Sequence, residues 1–128
     1  MLSSKIYKCN RCGNIVNLLV FGGGDLICCG EKMELLQSNI NNEVKETHLP
    51  MIKHNNDEVQ ISVLNHPMQE EHYIVWIELI IDDNLSYKKF LNPNSSPTAT
   101  FKIDGKFNKL IARVYCNIHG IWENNEKI

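Results

Sequence analysis

The 128-residue sequence lacks a long apolar run, an excess of positive charge and a segment typical of export signals. No apolar stretch reaches the roughly 18 residues that a membrane-spanning helix needs, so we expect no membrane partner. The net charge is −2 at pH 7, which provides no field that would attract nucleic acid or an anionic membrane. The first residues contain no apolar segment followed by a small-residue cleavage site, so a cytoplasmic location is expected.

The sequence also lacks a convincing amphipathic helix, an internal repeat or a low-complexity tract. From about residue 44 onward, short apolar segments alternate with turn residues instead. Residues 58–63 alternate strictly between apolar and polar, and residues 73–81 are apolar on nearly both faces, as in a central strand. Further strands are predicted at residues 86–91, 98–103 and 110–116. Strands of this length, with turns about every ten residues, predict an antiparallel β-sandwich.

Cysteine is scarce and unevenly placed, with four of the five cysteines in the first quarter of the chain. An odd count without an export signal argues against a disulfide framework and favours metal ligation or reactive thiols. A segment of roughly 35 residues cannot bury enough apolar surface to fold alone, so a structural metal is expected to stabilise the first part of the chain. The polar residues 38–43 predict a linker. We therefore expect one domain at residues 1–37 and a second at residues 38–128.

The first four cysteines form two pairs of different kinds. Cys9-Asn-Arg-Cys12 is a C-x2-C motif, whose tight turn directs two thiolates at one ion, and its distance from the second pair is typical of zinc-ribbon and rubredoxin-like sites. Cys28 and Cys29 are adjacent, which predicts a distorted tetrahedron. A disulfide between them is the alternative, although it would strain the intervening peptide. The spacing alone does not distinguish zinc from iron.

A second group of candidate ligands lies in the β region, near turns and strand ends. It consists of His48, His66, His72, Cys116 and His119. Taken singly, such a histidine is more often a surface or core residue than a ligand, and a lone cysteine is often a small apolar residue. Their grouping favours a shared metal site on loops held by a rigid scaffold. His54 stands in a polar stretch and is expected to be solvated and outside this site.

Four motifs closely resemble those of desulfoferrodoxins, the superoxide reductases with two iron centres. The motifs are Tyr7-Lys-Cys-Asn-Arg-Cys-Gly-Asn14, Cys28-Cys-Gly-Glu31, His66-Pro-Met-Gln-Glu-Glu-His-Tyr-Ile-Val-Trp-Ile-Glu-Leu79 and Tyr115-Cys-Asn-Ile-His-Gly120, which together run nearly end to end. The resemblance implies a mainly β fold, with a small desulforedoxin-like lobe and an immunoglobulin-like sandwich. It assigns Fe(Cys)4 to Cys9, Cys12, Cys28 and Cys29. It assigns a second iron to His48, His66, His72 and His119 in a plane, with Cys116 as axial thiolate.

The resemblance also implies an activity, the reduction of superoxide to hydrogen peroxide at Fe(II) with an open sixth position. An axial thiolate raises electron density on the iron. Glu46 matches the glutamate that fills the open position in the oxidised enzyme, while Thr47 stands where the family usually has a lysine. We hypothesise that Lys45 or Lys53 supplies part of that charge, or that anion capture is simply slower in this protein. A rubredoxin-like electron donor, a homodimer and a role in detoxification under oxidative stress are also implied.

Other classes of function are compatible with parts of this pattern. The chain could be an electron carrier in which only the lobe with the four early cysteines is redox-active and the sandwich is a passive module. A zinc-ribbon interaction protein is disfavoured by the negative net charge and the lack of a basic stripe. A zinc hydrolase is disfavoured because such sites seldom use five ligands with a thiolate.

Overall fold

The structure is a computed structural model that describes residues 5–39 and 48–127. The chain divides into two compact units, one of residues 2–37 and the other of residues 38–128 together with Met1. Each unit is considered separately below. Within the described ranges, no helix is long and apolar enough to cross a bilayer.

The small unit consists of short antiparallel strands and turns. Its strands are β1 (Lys5–Lys8), β2 (Ile15–Leu18), β3 (Ile27–Cys28), β4 (Glu31–Lys32) and β5 (Glu34–Leu35). They form one sheet in the order β2-β1-β5 and a separate β3-β4 hairpin. Among the described residues of this unit, only Ile6 and Cys9 are buried. Such a small core cannot stabilise the unit, in agreement with the expectation that a metal does so.

The large unit is a β-sandwich made of two sheets. Its strands are β6 (Ser38–Asn39), β7 (Met51–His54), β8 (Glu58–Ser62), β9 (Ile74–Ile81), β10 (Leu85–Phe90), β11 (Thr98–Lys102), β12 (Lys109–Cys116) and β13 (Gly120–Lys127). One sheet has the order β10-β9-β12-β13-β6 and the other the order β11-β8-β7. Neighbouring strands are antiparallel, except that β6 runs parallel to β13. The predicted mainly β fold with a sandwich is confirmed.

The core lies between the two sheets and follows the alternation of their strands. Val59 and Ile61 of β8 are fully buried, and they belong to one apolar cluster with Leu79 of β9 and Val114 of β12. The other face of β9 and β12 is also covered, because Glu78 and Arg113 are 1% and 5% exposed and form an ion pair. Strand β9 is therefore buried on both faces, which explains its nearly continuous apolar sequence.

The strands predicted at residues 58–63, 73–81, 86–91, 98–103 and 110–116 are confirmed as β8 to β12, within two residues at each end. Strand β13 is not among the predicted strands; it follows a turn at residues 117–119 and pairs with β12 along its full length. The predicted linker is wrong at Ser38 and Asn39, which pair with β13. Residues 40–43 lie outside the described residues.

An irregular register ends the ladder between β9 and β12. Tyr115 pairs with Trp76, but Cys116 pairs with Ile74, so Val75 is an extra residue on β9. Such bulges redirect side chains and are common beside functional sites. Here the bulge allows both Ile74 and Ile77 to join the core, together with Cys116 at the end of β12.

Candidate metal centres

The first candidate centre begins with the turn after β1. The backbone N–H of Gly13 donates to the carbonyl of Cys9 at 3.0 Å, and the N–H of Cys9 donates to the carbonyl of Asn14 at 2.8 Å. Gly13 has a φ of +83°, which a side chain would oppose. This turn holds Cys9 and Cys12 on one side, as a C-x2-C motif requires.

The adjacent cysteines lie in the tight hairpin between β3 and β4. Cys28 pairs with Glu31, so Cys29 and Gly30 are the two turn residues, and both have positive φ, at 54° and 77°. Two left-handed residues are typical of a type I′ turn. Because Cys28 ends a strand and Cys29 occupies the turn, neighbouring residues can direct their sulfurs towards the same point. All the described cysteines are free, so the alternative of a disulfide between these two is not found.

The four sulfurs of this hairpin and turn lie within 4.8 Å of one another and form the four-cysteine cluster. Cys12 Sγ is 3.6 Å from Cys28 Sγ, which in turn is 3.9 Å from Cys29 Sγ. Tetrahedral coordination with metal–sulfur bonds of about 2.3 Å separates sulfurs by about 3.8 Å. The spacing of these side chains therefore fits a single metal ion.

The shifted pKa values of these thiols also favour a cation bound between them. Hydrogen bonds from the backbone N–H groups of Cys12 and Arg11 lower the pKa of Cys9 to about 6. The nearby sulfurs, that of Cys12 first, raise the pKa of Cys29 to about 12. One thiolate thus forms readily, whereas four together repel one another. A divalent ion would offset that repulsion, and the bound ion would hold the four thiolates deprotonated.

The second candidate centre lies at the edge of the sandwich where β12 ends. Cys116 is the last residue of β12, and His119 follows in the turn to β13. His66 and His72 lie in the segment between β8 and β9, and His48 precedes β7. The reactive atoms of His48, His66, His72 and Cys116 lie within 4.8 Å of one another. The structure therefore brings together side chains from three separate parts of the chain.

His119 completes this group, which is called the histidine–cysteine cluster below. Its Nδ1 atom is 2.9 Å from Nε2 of His48 and 3.7 Å from Sγ of Cys116. The four imidazoles follow one another in a closed cycle, with neighbouring ring centroids 4.6 to 5.1 Å apart. His48 and His72 stand opposite each other at 6.3 Å. A cycle of four nitrogen donors beside one sulfur can surround a single ion.

Two imidazole nitrogens in this cluster are buried and have no hydrogen-bond partner among the described residues. They are Nε2 of His66 and Nε2 of His72. The Nδ1 atom of His66 is 2.6 Å from the carbonyl oxygen of Pro67, so Nδ1 carries the proton and Nε2 keeps its lone pair. Burial lowers the pKa of His66 to about 4, which keeps the ring neutral near pH 7. A buried nitrogen lone pair without a partner is costly, and a metal ion is the partner that this donor set fits.

The sulfur of Cys116 is fully buried beneath the histidines. Burial raises the pKa of its thiol, while backbone N–H groups of His119 and Ile118 oppose that rise in part. The N–H of His119 lies 3.4 Å from Sγ. A thiolate at this position therefore requires a positive neighbour, and a bound metal would be that neighbour.

Two residues near the second cluster were not identified as functional from the sequence. Trp122 is fully buried and stacks on the ring of His48 at 4.9 Å and 30°. Asn117, in the turn between Cys116 and His119, bonds to the segment around His72. The sequence signal that could have identified Asn117 is its place inside the Cys116-Asn-Ile-His119 motif.

The other residues considered from the sequence lie either outside the two clusters or outside the described residues. Glu46, Thr47 and Lys45 fall within residues 40–47, outside the described residues. Lys53 is an exposed residue on β7. His54 lies outside both clusters; its Nε2 is 3.2 Å from Oε2 of Glu126, and its ring packs against Phe107. His54 is nevertheless exposed, so the expectation of a solvated histidine outside the site is confirmed.

Comparisons with known proteins agree with this geometry. Residues 3–36 match the N-terminal domain of desulfoferrodoxin, and residues 40–125 match the main desulfoferrodoxin domain. The chain is 50% identical over 121 residues to a desulfoferrodoxin of Nitratidesulfovibrio vulgaris, covering 93% of this chain and 94% of that protein. It is 34% identical over 101 residues to a superoxide reductase of Pyrococcus horikoshii, covering 65% of this chain and 88% of that protein.

Its fold also resembles the crystal structure of the superoxide reductase from Treponema pallidum, with a TM-score of 0.76 and 25% identity. That match covers 94% of this chain and 96% of the other. The four-cysteine and histidine–cysteine clusters match the two iron centres that this family is expected to contain. Both family domains match, both clusters are present, and the similarity extends over nearly the whole chain. The chain therefore belongs to the desulfoferrodoxin family.

Proposed function

We propose that this chain is a superoxide reductase, which converts superoxide to hydrogen peroxide at the histidine–cysteine cluster. The observation that carries this proposal is the convergence of four imidazoles and one buried thiol, with two imidazole nitrogens left without a partner among the described residues. The relatives and the similar solved structure named superoxide reductases support the same activity.

Iron would be held at the second centre by His48, His66, His72, His119 and Cys116, and Fe(II) there would supply the single electron that the reaction requires. The balanced reaction consumes one superoxide, one electron and two protons per hydrogen peroxide. A set of four neutral imidazoles and one thiolate leaves Fe(II) with a net charge of +1. Such a site attracts a small anion such as superoxide.

The side chains around the cluster have separate roles in this proposal. The bond from His66 Nδ1 to Pro67 fixes the tautomer and the ring orientation, and the stacked indole of Trp122 restrains the ring of His48. His119 is exposed to solvent, so water can deliver the two protons from that side of the cluster. Glu46 is proposed to approach the vacant side of the site in the oxidised protein, as its match to the family glutamate implies.

Each turnover consumes an electron, so the chain needs an external donor. We propose a rubredoxin-like protein as that donor and the cytoplasm as the location, both on the basis of the family resemblance. We also propose a homodimer. Leu19, Val20 and Phe21 of the small unit are 79%, 82% and 63% exposed, and a run of exposed apolar residues supports self-association.

Lys53 is proposed to contribute weakly to superoxide attraction in place of the family lysine. It follows His48 by five residues, so at most about 17 Å separates their Cα atoms. At that range its effect is expected only at low ionic strength, because a Debye length of about 8 Å screens it under physiological salt. We expect Lys53→Ala to lower the second-order rate by no more than about twofold in dilute buffer. An unchanged dependence of the rate on ionic strength would remove Lys53 from this role.

The activity itself is tested by superoxide consumption in pulse radiolysis with the iron-loaded protein. We expect His72→Ala to lose most of this activity, whereas His54→Ala, a histidine outside both clusters, should retain it. Equal activity of the two variants would contradict the assignment of the histidine–cysteine cluster. Electron transfer by the parent protein without any superoxide consumption would favour the electron-carrier alternative.

A further inference from the structure

Asn117 connects two ligand-bearing segments of the histidine–cysteine cluster. It is the first residue of the turn between β12 and β13, directly after Cys116 and two residues before His119. Its side-chain Oδ1 accepts a hydrogen bond from the backbone N–H of Tyr73 at 2.9 Å. Its Nδ2 donates to the carbonyl oxygen of Glu71 at 3.1 Å. These two bonds therefore hold the residues on either side of His72.

The backbone of Asn117 adds a third bond to the same segment. Its N–H donates to the carbonyl oxygen of Tyr73 at 3.2 Å. The ladder of β12 and β9 ends one residue earlier, at Cys116 and Ile74, after a shift of register between Tyr115 and Cys116. The amide side chain of Asn117 thus takes the place of a peptide group and extends the hydrogen bonding past the end of the ladder.

Other described bonds restrain the segment that carries His72 without reaching the turn between β12 and β13; for example, the N–H of Asn94 donates to the carbonyl oxygen of Met68 at 2.7 Å. Gln69 and His72 exchange two backbone hydrogen bonds, both of 3.0 Å. This bridge fixes the segment to itself but does not connect it to the turn that holds Cys116 and His119. The bonds from Asn117 make that connection.

We propose that Asn117 is a positioning residue that sets the place of His72 relative to Cys116 and His119. The inference rests on the proposed function of this cluster as a metal centre. Nε2 of His72 is buried and has no partner among the described residues. Its ability to bind a metal therefore depends on its distance from the other metal-binding atoms of the cluster. Outer groups that orient metal ligands typically change metal affinity by about 10- to 100-fold when removed.

Two substitutions separate the contributions of the side chain. Asn117→Ala removes both side-chain bonds and leaves the backbone bond in place. Asn117→Asp keeps the oxygen that accepts from Tyr73, but it places a carboxylate oxygen against the carbonyl of Glu71, where Nδ2 stood. Asn56→Ala is the matched control, because Asn56 is exposed and lies in the turn between β7 and β8, away from both clusters.

The experiment is titration of the metal-free full chain with Co²⁺, followed by visible absorption. The four-cysteine cluster provides an internal reference in the same sample, since its four-thiolate absorption differs from that of a site with one thiolate. We expect Asn117→Ala to weaken Co²⁺ binding at the histidine–cysteine cluster by about 10-fold or more, with shifted absorption bands. Binding at the four-cysteine cluster should stay unchanged, and Asn56→Ala should match the parent at both clusters. Asn117→Asp should weaken the same site, and it gives the test if the alanine variant does not fold.

The outcomes distinguish this inference from the proposed function. If the parent binds Co²⁺ at the second cluster and the folded Asn117 variants bind it within twofold, with unchanged bands, the positioning role is wrong and the metal centre stands. If Asn56→Ala weakens the site as much as Asn117→Ala, the loss is unspecific and the inference is again wrong. If the parent binds no Co²⁺ at the second cluster, the proposed function fails and the inference fails with it.

Discussion

The buried ion pair between Glu78 and Arg113 gives the sharpest prediction about stability. Nε and Nη2 of Arg113 both lie 2.6 Å from Oε1 of Glu78, and the two side chains are 2% (Glu78) and 6% (Arg113) exposed. Ser86 donates to the other carboxylate oxygen at 3.0 Å, and the ammonium of Lys88 is farther away, at 3.9 Å. Arg113→Met removes the close cation and leaves the carboxylate in its buried position.

The expected cost follows from the burial of the remaining charge. Breaking a buried ion pair by removing one partner typically costs about 3–5 kcal/mol, because the other charge stays desolvated. Lys88 can compensate only in part, so we expect Arg113→Met to lower the unfolding free energy by about 3 kcal/mol. Replacing both partners, as in Glu78→Leu with Arg113→Met, should restore most of that loss, because no uncompensated charge remains.

Urea unfolding followed by tryptophan fluorescence measures this effect. Both tryptophans, Trp76 and Trp122, belong to the sandwich, so the signal reports on that unit alone. Zinc-loaded protein avoids redox changes during the titration. A loss below about 1 kcal/mol for Arg113→Met would refute the reasoning. A double variant as unstable as the sum of the two single variants would refute it as well, since the coupling of the pair would then be absent.

Three further predictions concern the two metal clusters. Removal of metal with a chelator should unfold residues 5–37 and leave the sandwich folded, because the two buried residues described in the small unit, Ile6 and Cys9, form too small a core to hold it. The backbone amide NMR spectrum checks this. The pKa of His66 is lowered from 6.5 to about 4, so the unfolded chain binds more protons between these values. The contribution of His66 to the unfolding free energy of metal-free protein should therefore be fully present above pH 6.5 and fall by at most about 3 kcal/mol as the pH drops to 4. Urea titrations at several pH values measure this dependence, and His66→Asn should reduce its slope. Trp122→Leu removes the ring stacked on His48 and should lower stability by roughly 3 kcal/mol while weakening metal retention at the second cluster during dialysis.

The sequence predicts the sandwich strands where apolar patterns are strong. The alternation at Val59, Ile61 and Val63 and the apolar run of β9 correspond to buried positions in the structure. Strand β13 escapes prediction because Glu123, Asn124 and Asn125 interrupt any alternation after Trp122. Its pairing with β12 and the bond from Asn124 to the carbonyl of Pro50 hold it in place, and those are tertiary contacts that a local pattern does not contain.

The candidate centres differ in how far spacing alone predicts them. The C-x2-C motif identifies the first cluster, because a local turn brings its two sulfurs together. The second cluster requires His48, His66 and Cys116 to meet across long stretches of chain, so the family resemblance rather than the spacing predicted it. The hydrogen bonds of Asn117 depend on the irregular end of the β9–β12 ladder, which has no local sequence signal.

The iron content of the protein, measured together with its visible spectrum, tests the central claim most directly. We expect two irons per chain and, in the oxidised protein, a thiolate-to-iron absorption band that disappears in Cys116→Ser while the absorption of the four-cysteine centre remains. One iron per chain in the fully loaded parent, or an unchanged band in Cys116→Ser, would contradict an iron centre formed by the four histidines and this cysteine.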